Sequence, residues 1–482
     1  MKPQPRFRRR SPYPQQPAML CGAALLAVGI LACCTPGRLL AWGAMHGTIT
    51  RGALDVLPSW QQKLFAGQRN ELIDTYCLIP DLAQADAHKK EFGPLVVLPN
   101  GEAFSHLPFK TRDKNVYQIK YYFDRVVEAV RADQLDQAAR WAGCLLHFLE
   151  DSGSPAHTMP GDNQMGLMKD LLPTPEAFRN RPLHGLIEEG RLTVDISDYR
   201  PQLLGTTSGE AVMHLIERYD AMVRNARSQV MPILQGVYRG AQAEIDAGQL
   251  RAATMDAYVV ADTLYTMLCI AKGRFDPKEL AQLAIVDVSS LTPAEVIHQS
   301  YFPQHSYFSD PYFGFPVRDA ILAEGKQKQS LLLGVATDGA VVSREFEHGL
   351  GLGTGCRVTY ALSNRVYDRF DCRVGLHASL GKQGRVVFRV YADGKEVFES
   401  GEMTGESPAQ QVRLPIWGVH ELAIATQSRS KVRGHNYAVI AEPTLRKAVD
   451  PQKLQEAAES AIAEATPDKA VMPQPVSKVK VE

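Results

Sequence analysis

The sequence predicts an all-α domain followed by an all-β sandwich, and three observations carry that expectation. Apolar residues recur with helical spacing over residues 42–275. The pattern then changes to short β-rich runs separated by Gly- and Ser-bearing turns. A length of 482 residues accommodates two or three domains. With 45% hydrophobic and 22% charged residues the composition is globular. Basic and acidic residues number 53 each, so there is no bulk electrostatic case for coating nucleic acid or for a polybasic membrane tail.

The chain opens with an expected export signal over residues 1–41. Arg6, Arg8, Arg9 and Arg10 precede an apolar run at 18–34, then Thr35-Pro36-Gly37 and the small residue Ala41. A basic start, a short apolar stretch and a breaker read as a secretory signal, cut between Ala41 and Trp42. The run falls short of the roughly 18–20 residues of a spanning helix. Leu39 fits poorly three residues before the cut, and lipidation at Cys33 is the competing outcome. The expected location is secreted, periplasmic or at the cell surface. Past the cut remain Cys77, Cys144, Cys269, Cys356 and Cys372. Their wide spacing is no disulfide framework, although Cys356 and Cys372 fall in one domain and could pair. No C-x-x-C occurs, so any metal would not sit in a zinc-ribbon thiolate cluster.

The helical domain is expected at 42–275. Val116, Ile119, Phe123, Val126, Val127 and Val130 keep the spacing of one buried helix face, and Leu135, Ala138, Ala142, Leu145, Leu146 and Leu149 repeat it. Thr207 with Glu210 forms a capping box ahead of Val212, Leu215, Ile216 and Tyr219. A further helix over 256–272 meets a C-cap at Gly273.

The sandwich is expected at 285–447. The β-rich run 385–391 leads to Asp393-Gly394 and then Val397 and Phe398, a hairpin signal. Short strands at 357–361, 371–376, 411–415 and 422–426 complete the pattern. Residues 448–482, rich in Ala and Glu and then in Pro, Lys and Val, read as an exposed helix and a disordered end.

Potential metal ligands crowd the helical domain. His147 and Asp151 are four apart on one helix face, with His157 in the loop beyond Pro155. His184 and Glu188 repeat the i, i+4 spacing. Imidazole and carboxylate donors are the ligand set of catalytic zinc. Core or surface histidines paired to acids would read alike at this level.

The segment His147-Phe148-Leu149-Glu150-Asp151-Ser152-Gly153-Ser154-Pro155-Ala156-His157 resembles the core motif of the zinc-dependent phospholipase C and S1/P1 nuclease superfamily. Glu150 departs from it, standing where that family has Gly. Trp42 with His46, Pro80-Asp81, Phe104-Ser105-His106, and His184 with Glu188 follow in the family's order. Asp86 and His88 rival Asp81 and His106. The resemblance implies three zinc ions. One would be held by Asp81, His106, His147 and Asp151, and a second by His157, His184 and Glu188. The third would take His46, a bridging Asp151, and the amine and carbonyl of Trp42, an amine that exists only after signal cleavage. An aromatic anchor beside a surface histidine is the alternative account of Trp42 and His46.

Six positive charges against Asp81, Asp151 and Glu188 would leave a pocket positive by about three units, suited to a phosphodiester anion. Water activated by zinc needs no Ser, Cys or His nucleophile, and no Gly-x-Ser-x-Gly or P-loop is present. By resemblance, Asp81 orients or deprotonates that water. Glu188 looks more like the phospholipases, and the short Trp42–His46 spacing more like the nucleases. Phe104, Leu107 and Phe109 are candidates for an apolar rim. Tyr121, Tyr122 and Phe123 serve either helix packing or base stacking. Gly161, Asp162, Met165 and Met168 mark a loop between ligands.

The second region resembles the NPCBM class of galactose-binding-like modules. Phe346-Glu347-His348-Gly349-Leu350-Gly351, Tyr367-Asp368-Arg369-Phe370, residues 387–395, Ser400-Gly401 and 418–422 carry this. In the closing segment, Asn436 and Ile440 replace the usual Asp and Trp. Trp417 and Tyr437 are the candidate sugar-stacking residues. The expected function is a secreted zinc-dependent phosphodiesterase of the phospholipase C type, with a possible glycan partner for the sandwich and no stable protein partner implied. The alternatives are a P1-like nuclease, an enzyme for glycosylated phosphoinositides, and a non-catalytic glycan-binding protein stabilised by zinc.

Overall fold

A computed structural model of the chain describes residues 42–105, 107–109, 111–158, 187, 192–298, 316–323, 327–353, 355–362, 365–429 and 437–448. The expected signal and tail lie outside these residues, as do His106, His184, Glu188, Asn436 and the loop around Met165. Among the described residues no helix is long and apolar enough to cross a membrane.

The helical part runs α1 (Met45–Asp55), α2 (Ser59–Leu64), α3 (Arg69–Asp74), α4 (Ile79–Leu82), α5 (Lys89–Phe92), α6 (Arg112–Arg131), α7 (Leu135–Gly153), α8 (Ser208–Arg239), α9 (Gln242–Lys272) and α10 (Pro277–Gln282). Helix α9 packs against α1, α6, α7 and α8. It is buried on every side through Val259, Val260, Ala261, Leu264, Met267 and Leu268, with Asp262, Thr263 and Thr266 buried among them. A helix buried all round belongs at a core's centre. Tyr122 and Phe123 of α6 are fully buried too, which settles them as packing residues. Gly143 lets α7 close on the turn before α4: a Cβ there would stand 2.1 Å from the Tyr76 carbonyl oxygen.

Caps fall where the residue types ask for them. The Thr207 hydroxyl accepts from the Glu210 amide at the start of α8. The return bond of the expected capping box is displaced by one residue, because the Glu210 carboxylate takes the Thr206 amide (2.8 Å) rather than that of Thr207. Gly273 closes α9 at φ 61°, a left-handed conformation that glycine adopts without a Cβ clash.

The second part contains β1 (Ile285–Asp287), β2 (Glu295–His298), β3 (Val317–Arg318), β4 (Ile321–Leu322), β5 (Lys328–Gln329), β6 (Leu331–Thr337), β7 (Ala340–Phe346), β8 (Gly349–Leu352), β9 (Cys356–Ala361), β10 (Tyr367–Leu376), β11 (Val386–Ala392), β12 (Lys395–Glu399), β13 (Gln410–Pro415), β14 (Glu421–Ser428) and β15 (Ala438–Lys447). One sheet has the order β13-β10-β15-β8-β3, with β1 also on β15, and the other has β12-β11-β14-β9-β2. Between them pack Phe370, Phe388, Leu376, Val390 and Ile424. The Asp393-Gly394 turn joins β11 to β12 with both φ angles positive, as expected for this hairpin. Cys356 and Cys372 do not pair with each other: they lie on strands of different sheets, and both are buried.

Asp371, on central strand β10, accepts from the Nε atoms of Arg369 (2.7 Å), Arg413 (3.0 Å) and Arg446 (3.0 Å). One carboxylate thus ties three neighbouring strands. The helical and β parts meet through Arg112, which donates to the carbonyls of Thr292 (2.6 Å) and Pro293 (3.0 Å) and to Glu217 (3.0 Å). Lys447 of β15 reaches Glu210 at 2.7 Å, and Tyr367 lies 3.4 Å from His214.

Candidate metal centre

The site is assembled from four helices, with α7 at its centre. Successive side chains at i and i+4 share a helix face. That spacing places His46 with Thr50 on α1 and His147 with Asp151 on α7. Helix α4 brings Asp81, and α9 brings Asp256. His46, His147, Glu150, Asp151 and Asp256 are all fully buried.

Asp151 lies between the two imidazoles and offers one oxygen to each. Its Oδ1 is 3.4 Å from His46 Nε2, and its Oδ2 is 3.1 Å from His147 Nε2. Ligand atoms of these three residues lie within 4.8 Å of one another. The Oδ1 of Asp81 stands 3.8 Å from His147 Nε2. On their other side the rings are held separately. His147 Nδ1 is 2.7 Å from the Cys77 carbonyl oxygen, and His46 Nδ1 is 2.7 Å from Glu150 Oε2. The second oxygen of Glu150 accepts from Thr50 at 2.8 Å.

This network suits a cation. A carbonyl oxygen only accepts, so Nδ1 of His147 carries the proton, and a neutral ring turns an Nε2 lone pair toward acidic oxygens. Lone pair facing lone pair is repulsive unless positive charge stands between them. Two donors about 2.0–2.2 Å from one zinc ion at a tetrahedral angle lie about 3.3–3.6 Å apart, close to the observed 3.1 and 3.4 Å. Burial alone would lower the pKa of His46, but the hydrogen bonds and charges of Asp151 and Glu150 raise it well above the usual imidazole value. The site therefore draws positive charge.

Asp256 was not legible as a site residue. Its carboxylate is buried, and neither oxygen has a hydrogen-bond partner among the described residues. Burial first, and then the charge of Glu150, push its pKa well up; His46 opposes this and Asp151 adds to it. Space for it exists because residue 153 is glycine: a Cβ there would meet Asp256 Oδ1 at 1.9 Å. The available signal was an acid interrupting the apolar stretch of α9.

Other expected site residues are placed as follows. Trp42 is fully buried, and its carbonyl accepts from the Met45 amide at 2.8 Å. His157, 6% exposed, sits in the 3-10 turn Pro155–Thr158 after α7. His88 packs beside Phe92 with ring centroids 5.7 Å apart. Phe104 is half-buried and meets the His147 ring edge-on at 5.7 Å. In the sandwich Trp417 is half-buried. Tyr437 is 6% exposed, and its ring lies 6.5 Å from that of His377 at an interplanar angle of 77°.

No curated protein sequence matches the chain. Among solved structures, the clostridial alpha-toxins are similar along most of its length. The toxin from an avian strain of Clostridium perfringens is 10% identical, with 85% of this chain and 98% of that one covered and a TM-score of 0.31. The toxin of Clostridium absonum is 8% identical, with 85% and 99% covered and a TM-score of 0.32. The CBM51 module of a Clostridium perfringens GH95 protein, solved with methyl-galactose, is 21% identical and covers 33% of this chain and 99% of its own, at a TM-score of 0.28. Residues 326–446 match the NPCBM/NEW2 domain. The chain is a helical domain joined to a β-sandwich that carries an NPCBM/NEW2 domain.

Proposed function

We propose that this is a secreted zinc-dependent phosphoric diester hydrolase of the phospholipase C type, held at glycan-bearing surfaces by its sandwich. The observation that carries the reading is Asp151, one carboxylate offering a separate oxygen to each of two imidazoles whose far nitrogens are already engaged. That is the arrangement a bridging ligand requires. His46, Asp151 and the amine and carbonyl of Trp42 would hold one ion, and His147, Asp151 and Asp81 another; His106 would complete the latter, and His157, His184 and Glu188 a third.

Bound zinc supplies Lewis acidity, bringing the pKa of water from about 15.7 to about 7 and offsetting charge on phosphoryl oxygens. The chain's residues do the rest. Cys77 and Glu150 fix the imidazole orientations. Asp81, beside His147 Nε2 and with its side chain 9% exposed, would hold an attacking water and take its proton. Phe104, against His147, gives one side of the site an apolar surface that suits a lipid substrate.

The test is zinc content together with turnover. The processed protein is expected to hold three zinc ions per chain and to release the head group of phosphatidylcholine. Cleavage of single-stranded nucleic acid instead would make it a nuclease, and one zinc without turnover would make it a scaffold.

A further inference from the structure

Glu150 is the one residue at the centre of the His147–His157 segment that departs from the motif it resembles, and its contacts show what the departure does. Glycine there would take away the carboxylate that the Nδ1 of His46 and the hydroxyl of Thr50 both contact. Instead a fully buried carboxylate spans the gap from α7 to α1. Its two oxygens take separate partners, His46 Nδ1 at 2.7 Å and Thr50 Oγ1 at 2.8 Å. Because His46 and Thr50 are four apart on α1, both donors approach from one face and the carboxylate has no rotational freedom left.

The two histidines are therefore held unequally. His147 leans on a neutral carbonyl, that of Cys77, whereas His46 leans on an anion. A carboxylate behind an imidazole orients the ring and makes its far nitrogen a stronger donor. We propose that Glu150 is a positioning residue for His46, anchored by Thr50, that tightens the chain's hold on the cation shared by His46 and Asp151 and leaves the His147 side unaffected. This rests on the zinc reading above and adds to it an asymmetry between the two positions.

The test uses processed full-length protein, with inorganic zinc as the probe. Zinc per chain is followed by elemental analysis across a chelator series, alongside melting temperatures with and without zinc. Glu150→Gln keeps the volume and one acceptor but removes the charge. It is expected to lose one zinc equivalent at a chelator concentration about 10–100-fold lower than the wild type, with the remaining equivalents unmoved. Thr50→Val, which leaves both carboxylate and imidazole in place, is expected to shift the same equivalent in the same direction by less. A purely structural contact between α1 and α7 would lower the zinc-free and zinc-loaded melting temperatures equally; the proposal requires a smaller zinc-induced rise.

Unchanged retention in Glu150→Gln overturns the proposal. If that variant does not fold, Thr50→Val decides alone, and unchanged retention there overturns it. A wild-type protein that binds no zinc would sink the parent reading itself, a result distinguishable from either.

Discussion

The imidazole rings of His46 and His147 lie stacked, with centroids 4.3 Å apart and planes 15° from parallel. They come from different helices, 101 positions apart in the chain by subtraction of their numbers. The stack aims both Nε2 atoms at the same carboxylate, so the centre depends on how α1 docks against α7 and not on either helix alone. Four expectations follow from such contacts.

Asp151→Asn is expected to abolish zinc retention and phosphodiesterase turnover together. An amide offers one oxygen where a carboxylate offers two, so it cannot serve both imidazoles. Metal content and turnover measured on the same preparation check this, and retained activity would rule out the bridge.

Gly143→Ala sets two effects against each other. Alanine is the better helix former by about 1 kcal/mol. Its Cβ, however, would stand 2.1 Å from the Tyr76 carbonyl oxygen, and backbone cannot rotate aside. Overpacking of this kind costs about 1–3 kcal/mol and here more, because the obstacle is main chain. A net loss of about 2 kcal/mol is expected, read by denaturant titration.

Asp371→Asn is expected to destabilise the sandwich by about 1 kcal/mol at low salt, and by less as salt rises. The buried carboxylate holds three arginines, but their side chains are 41–67% exposed, so solvent screens most of the attraction. A melting temperature that does not respond to the substitution would show the cluster to be energetically neutral.

Acidification is expected to weaken the junction between the two parts through His214. Burial lowers the pKa of this residue, with Lys447 and Arg218 acting in the same direction and Glu210 and Glu217 opposing. The unfolded chain thus takes up a proton near pH 6.5 while the folded chain resists it, so stability is full above that pH and declines as pH falls through the lowered folded value. Tyr367, the fifth group facing the ring, lies 3.4 Å away. Melting temperatures between pH 7 and 5 should fall less steeply in His214→Gln than in the wild type.

Much of the architecture was legible in the linear pattern, because helices and strands bury one face at periods of 3.6 and 2. Leu135, Ala138, Ala142, Leu145, Leu146 and Leu149 marked α7, and Asp393-Gly394 marked the β11–β12 hairpin, since both signals are local. The grouping of His147 with Asp151 was equally local. Position 150 showed itself only as an irregularity, with no indication of what it contacts. Tyr437 could not be assigned from its aromatic character, as the same ring serves a sugar face or a core.

What the sequence by itself determined is the set of faces: which side chains each helix and strand presents together, because backbone geometry ties spacing to direction. What only the tertiary structure decided is which faces meet. The docking of α1 on α7 gave His46 its carboxylate, and the packing of α9 against Gly153 brought Asp256 beside them. These contacts join residues about a hundred positions apart, and close packing of side chains selects them, a property no local periodicity records.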